Sequence, residues 1–209
     1  MKKAIGLTIL ITLALGLALL VIAQVPPVVF YIFLGLGLLA IIAAILYTNG
    51  FRPYGYMGLG DVSVFLFFGW LGVIGTYYLM TGHFYWDLLL PGASCGLLTV
   101  AVLNVNNIRD IKSDLQAGKL SIPARLGRSK ATWYHLALLI VGTLTAVIYV
   151  ALHYSKPTQW LFLLAVPLVY INGRAVMTKF SVAELDPYLK QMAITTLAFV
   201  LFFGLGITL

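Results

Sequence analysis

The chain has 209 residues, of which 62% are hydrophobic and only 9% charged. A soluble domain carries roughly 25% charged residues, so this surface requires lipid as its main solvent. The formal net charge of +7 comes with no basic face on a soluble fold, which argues against nucleic acid as a partner.

A bilayer core of about 30 Å takes about 20 apolar residues as helix. Seven such runs follow in chain order: Ile5–Ala23, Val28–Tyr47, Val62–Met80, Leu88–Asn104, Thr132–Leu152, Gln159–Val176 and Gln191–Leu209. The predicted fold class is therefore all-α, a polytopic transmembrane helical bundle in one domain. The first run follows "MKK" like a secretory signal, but it is too long for one and lacks a clear cleavage site, so a retained helix is expected. The third run carries Gly69, Gly72 and Gly75, which in membranes allow helices to approach closely. The single cysteine, Cys95, lies inside the fourth run and is expected to be a packing residue.

Orientation follows from the basic residues between the spans. Lys2, Lys3, Arg52, Arg109, Lys112, Lys119, Arg125, Arg128, Lys130, Arg174, Lys179 and Lys190 fall on one side, and only Lys156 on the other. The first side is expected to be cytoplasmic, with the N-terminus inside and the C-terminus outside. The long polar connections lie there, so chemistry is expected there too.

The fourth run ends in "NVNNIRDIKSD". If it continues as helix, Asn106, Asp110 and Asp114 stand at i, i+4 and i+8 on one face, with Asn107 three residues before Asp110. Two carboxylates with amide oxygens beside them suit Mg²⁺, a hard cation that takes oxygen ligands, and suit zinc poorly. Arg109, Lys112, Lys119 and Arg125 lie close by in sequence. Guanidinium groups grip phosphate oxygens through paired hydrogen bonds. The bland alternative is a solvated loop whose acids and bases pair with each other.

The connection "YTNGFRPYGYMGLGD" reads as a structured turn. Its Tyr47, Tyr54 and Tyr56 belong either to an interfacial aromatic belt or to the flank of an aromatic substrate. Asp61 is expected to favour the N-terminus of the third span as a cap. His83, His135 and His153 have no partner at ligand spacing. The connection "GRAVMTKFSVAELDPYLK", with Glu184 and Asp186, is expected to be a solvated amphipathic loop.

The segments "RPYGYMGLGDVSVFLFFGWLGVIGTYYL" and "AVLNVNNIRDIKSDLQAGKLSIPARLG" resemble the UbiA superfamily of membrane prenyltransferases. The likeness is closest to its branch that acts on 1,4-dihydroxy-2-naphthoate in menaquinone synthesis. It implies a nine-helix bundle in a bacterial cytoplasmic membrane, with two aspartate-rich motifs that hold a polyprenyl diphosphate through Mg²⁺. The second motif corresponds to Asn106, Asn107, Asp110 and Asp114. Lys119 and Arg125 match the basic positions of the following "GK…RLG" segment. Tyr47 and Arg52 fall in the loop that faces the substrates, and Asp61 matches an acidic position at its end.

The first aspartate-rich motif has no counterpart in these residues, and the seven runs correspond to the family's third to ninth helices. The expectation is a family member lacking about one hundred N-terminal residues, a half whose partner chain supplies the rest, or a noncatalytic remnant. Ser121 and Pro123 depart from the family's more frequent Thr and apolar residue, and Pro123 is expected to bend its loop. Outside this family, the rival reading is an ion transporter, which needs acidic residues at mid-span; none of the six lies there.

Overall fold

The computed structural model describes residues 2–209, with side chains from residue 5 onward. Met1, and Lys2 and Lys3 as side chains, lie outside the described residues. No strand forms among the described residues.

Helix α1 (Lys2–Ile22) turns back into α2 (Pro27–Thr48). Pro27 opens α2 at a position where its missing N–H leaves no helical bond unmade. A 3₁₀ turn, Tyr54–Met57, leads to α3 (Gly60–Val64), a π-helical stretch Phe65–Leu71, and α4 (Gly72–Thr81). These three run on as one span, Gly60–Thr81. Next come α5 (Leu89–Arg109), the short α6 (Ile111–Gln116) and α7 (Ile122–Leu152). A 3₁₀ stretch, Pro157–Ala165, then continues into α8 (Val166–Thr178), and α9 (Val182–Thr208) ends the chain. Among the described residues seven helices are long and apolar enough to cross a membrane, and they match the seven apolar runs. The chain is thus an all-α, multi-pass membrane protein.

Two boundaries differ from expectation. Helix α7 begins at Ile122 rather than Thr132, with a break at Gly127 (φ 72°, ψ 165°). Pro123 does not bend a loop; it sits in the first turn of α7, behind the N-cap Ser121, where proline is well tolerated. Helix α9 begins at Val182, so most of the expected amphipathic loop is helix. Hydropathy marks the hydrocarbon-embedded part of a helix, and both helices extend beyond it as polar turns.

Helix α5 is the centre of the bundle. Leu98, Ala101 and Val105 are fully buried, and Ala131, Ala146 and Val150 of α7 pack in the same core. Phe162 and Phe199 close it, with ring centroids 5.1 Å apart. Lipid supplies no hydrophobic drive for helix association, so close packing and hydrogen bonds must hold the helices together. Both are present. A Cβ on Gly69 would stand 2.7 Å from the Gly92 carbonyl and 2.8 Å from the Gly96 Cα, so the third span lies backbone against backbone on α5. Ser94 Oγ donates to the Gly142 carbonyl at 2.6 Å, tying α5 to α7. By contrast, α2 has no buried residue.

Residues assigned to one side of the membrane meet at one end of the bundle. Asp114 meets Lys119 and Arg109 meets Asp186 at the basic end. Asp87 meets His153 at the far end, where Thr158 also bonds Gly206.

Candidate active site

The polar motif hangs from the last turn of α5. Backbone bonds from Asp110 N to Asn106 O (3.0 Å) and from Asp114 N to Asp110 O (2.8 Å) carry a helical course across Asp110. Asp110 itself is bent out of ideal helix, at φ −98° and ψ 10°. Four residues advance a helix by roughly 400°, so each step drifts about 40° from the last. The expected single face is therefore spread over two adjacent ones, and each collects its own partners.

On one face Arg109 lies across Asp110. Its Nε donates to Oδ1 at 2.8 Å and its Nη2 to Oδ2 at 2.9 Å. The same Nη2 donates to Asn106 Oδ1 at 2.9 Å, and Nη1 donates to Asp186 Oδ1 at 2.6 Å. On the next face Lys119 Nζ stands 3.0 Å from Asp114 Oδ2 and 3.1 Å from Asn107 Oδ1. Asn107 and Asp114 are buried. Ser121 Oγ donates to Asp114 Oδ2 at 3.3 Å and also accepts from Ala124 N as the cap of α7. The motif thus forms two similar units, each an amide and a carboxylate gripping one cation. Lys112 is exposed and enters neither among the described residues.

The tyrosine-rich turn docks onto this motif. Leu120 N donates to Tyr56 O at 2.8 Å. Arg125 Nη2 donates to Met57 O at 2.8 Å, and its Nε to Leu120 O at 3.0 Å. Arg125 therefore clamps two loops. Tyr47 is wrapped by the turn: a Cβ on Gly55 would stand 2.7 Å from its carbonyl, and one on Gly60 would stand 2.9 Å from its hydroxyl. Its ring meets Tyr54 edge-on at 5.3 Å, and Tyr54 Oη pairs with Ser63 Oγ at 3.0 Å. Asp61 lies in the first turn of α3, where a carboxylate is favoured; it is buried there and accepts from Tyr134 Oη at 2.9 Å. Arg52 is exposed and lies over the Phe51 ring at 5.8 Å, apart from both cation units.

A cavity of about 400 Å³ opens beside Tyr47, Tyr54 and Ser63 and reaches Phe67. Phe67 also lines a second cavity of about 560 Å³ between α2 and the third span, which extends to Tyr78 and Phe84. Its wall is almost wholly apolar. Both cavities touch Phe67, so the trough beside the tyrosine turn adjoins a second apolar space.

The histidines lie apart from the carboxylate motif. His135 is buried and pairs through Nε2 with Asn172 Oδ1 at 3.0 Å. His83 is exposed. His153 lies at the far end, where the Tyr149 carbonyl and Asp87 raise its pKa above the ordinary histidine value.

All the candidate ligands are oxygens, and Arg109 and Lys119 show that each amide–carboxylate unit accommodates positive charge. The donor set therefore fits a hard divalent cation completed by phosphate oxygens and water. No group of three or more His, Cys, Asp or Glu gathers among the described residues. Sequence reading missed Asp186 and Tyr134. The first could have been sought, because the Ser181–Glu184 capping box marks a helix start just before it. Nothing local pointed to Tyr134 as the partner of Asp61.

The model of the UbiA prenyltransferase family matches residues 2–186. A 1,4-dihydroxy-2-naphthoate octaprenyltransferase of Escherichia coli (strain K12) is 44% identical over 209 residues, covering all of this chain and 68% of the relative. The enzyme of the same name from Haemophilus influenzae is 46% identical over 177 residues, 85% of this chain and 58% of the relative. That of Mycobacterium leprae is 36% identical over 190 residues, 90% of this chain and 60% of the relative. The chain thus spans between 58% and 68% of the length of these relatives. No solved structure matches. With the two cation-gripping units set at the end of an apolar bundle, and the family match running through both, the chain belongs to the UbiA prenyltransferase family.

Proposed function

We propose that this chain transfers a polyprenyl group from polyprenyl diphosphate to 1,4-dihydroxy-2-naphthoate, releasing diphosphate and CO₂ and giving demethylmenaquinol. The observation that carries this reading is the pairing of two amide–carboxylate units with an apolar trough beside the tyrosine turn. It is supported by the names of the relatives. One end of the site suits a charged head and the other a hydrocarbon tail. In this reading the basic end faces the cytoplasm of a bacterial inner membrane, since twelve of the thirteen Lys and Arg residues fall in the sequence connections assigned to that side.

Asp110 and Asp114, with Asn106 and Asn107, would hold Mg²⁺. When bound, it supplies positive charge to the oxygens of the leaving diphosphate. Arg109 and Lys119 would add hydrogen bonds and charge at the same place, where negative charge develops, while Lys112, outside both units, would add charge alone. Arg125 holds the tyrosine turn against the motif. Arg52, on the same loop, would meet the acceptor.

The chemistry balances simply. The allylic C–O bond breaks, and its electron pair leaves with diphosphate. The naphthoate carbon that bears the carboxylate forms the new C–C bond. Loss of CO₂ returns an electron pair to the ring and restores aromaticity. The apolar trough excludes water, which would otherwise capture the allylic cation as an alcohol. The faces of Tyr47 and Tyr54 are suited to shelter that cation.

The family's first aspartate-rich motif would add ligands from a preceding segment or a partner chain. The test is incubation of membranes carrying the chain with labelled geranyl diphosphate, dihydroxynaphthoate and Mg²⁺. Labelled prenylnaphthol is expected, and Asp110→Ala should abolish it. If the intact chain is inactive, and stays so when the preceding helices of a relative are joined to it, the noncatalytic reading replaces this one. Product formed only with 4-hydroxybenzoate would reassign the acceptor.

A further inference from the structure

Asp186 belongs neither to the aspartate-rich motif nor to the proposed ligand set. It is an exposed residue in the first turns of α9. Its position is fixed by the capping box before it, in which Glu184 N donates to Ser181 Oγ at 3.3 Å and Ser181 N to Glu184 Oε2 at 3.1 Å. From there its Oδ1 takes the shortest of the Arg109 guanidinium contacts, 2.6 Å against 2.8 and 2.9 Å for the bonds to Asp110 and Asn106.

Those bonds to Asp110 and Asn106 raise a conflict. Arg109 covers both carboxylate oxygens of Asp110 and the amide oxygen of Asn106. The same three oxygens are assigned above to a divalent cation. A guanidinium and a dication on one carboxylate repel each other, so these oxygens ligate more strongly when Arg109 turns away from them. A partly desolvated arginine does not give up a two-toothed carboxylate contact readily. It needs a second carboxylate within reach of the first.

We propose that Asp186 is that second carboxylate: a positioning residue on which Arg109 pivots when it releases Asp110 and Asn106. This rests on the reading of the motif as a site for a divalent cation and diphosphate. The geometry already has the pivot engaged, because Nη1 is committed to Asp186 while Nε and Nη2 lie on Asp110 and Asn106. After the turn, Nε and Nη2 are free for phosphate oxygens, and Asp186 still compensates the charge. Without Asp186 the guanidinium has only Asp110, and it competes with the metal for the whole carboxylate.

The test uses the full chain purified in detergent and Mn²⁺ as a spectroscopic probe, so that bound metal is counted by EPR without turnover. Asp110→Asn should lose the bound Mn²⁺, which checks the metal site itself. Asp186→Asn should weaken Mn²⁺ binding about fivefold, the size expected of one charge-assisted contact at a partly exposed site. Asp186→Glu should recover most of it. In an Arg109→Gln background, Asp186→Asn should have no further effect, because there is no guanidinium to hold. Thermal unfolding without metal verifies that each variant folds. The proposal is overturned if Asp186→Asn leaves the affinity unchanged, or weakens it equally in both backgrounds, which would make Asp186 a distant charge or a packing residue. If the unaltered chain binds no Mn²⁺, or Asp110→Asn binds it equally well, the metal reading fails as well, and that outcome is separate from a failure of Asp186 alone.

Discussion

The two ends of the bundle both carry an acid–base pair, yet they are built differently. At the far end Asp87 and His153 meet at 3.0 Å with both side chains well exposed, assisted by the Tyr149 carbonyl and its stacked ring. At the basic end Asp114 and Lys119 meet at the same distance, but they are largely shielded and share partners with Asn107 and Ser121. Equal distances therefore do not mean equal consequence. A pair in water is screened and contributes little. A shielded pair leaves a costly unpaired charge when one member is removed.

The strongest way to break this contrast is Asp114→Ala. It strands Lys119 and removes a proposed ligand, so prenyl transfer is expected to fall by about a hundredfold or more, with the unfolding midpoint in detergent lowered as well. A product assay and a thermal melt on one preparation report both. If neither moved, the basic end would be no more than another surface pair.

Arg125→Ala should have an intermediate effect. It removes the guanidinium bonds to Met57 O in the tyrosine turn and to Leu120 O in the loop after α6, a loss of about 1–3 kcal/mol for bonds made by a charged donor. Faster proteolysis within Tyr54–Leu59, with the bundle otherwise intact, is the expected sign of a released turn.

The smallest effect is expected at the far end, and it depends on pH. Its neighbours raise the folded-state pKa of His153. The stabilisation from the charged ring is thus fully present below the unfolded-state pKa and is lost as pH rises through the raised folded value. His153→Gln should lower the midpoint slightly in mild acid, by less than about 1 kcal/mol, and leave it unchanged in mild alkali. A larger loss that persists in alkali would put His153 on a par with the basic end.

Much of the fold was legible because lipid imposes a simple rule of length and hydropathy, and all seven spans obey it. Helix ends were less legible. Polar turns such as 122–131 and 182–190 are helical through caps, Ser121 and Ser181, that a hydropathy reading passes over. Among the site residues, Asp110 and Asp114 stood out by spacing, but their division into two units depends on accumulated helical drift and the bend at Asp110. Arg109 and Asp186 are far apart in sequence, and their contact exists only because α5 and α9 end side by side. Arg125 was read as a phosphate ligand from its charge, whereas its observed bonds are to backbone carbonyls, which no residue pattern announces.

Arg128 follows the break at Gly127 and donates through Nη2 to the carbonyls of Val176 and Lys179, at the close of α8. A helix normally finishes on its own turn residues, but here a neighbour's guanidinium does the finishing and offsets the partial negative charge of that terminus. The elbow in α7 and the tail of α8 are thereby welded into one corner, so tilting either helix would drag the other.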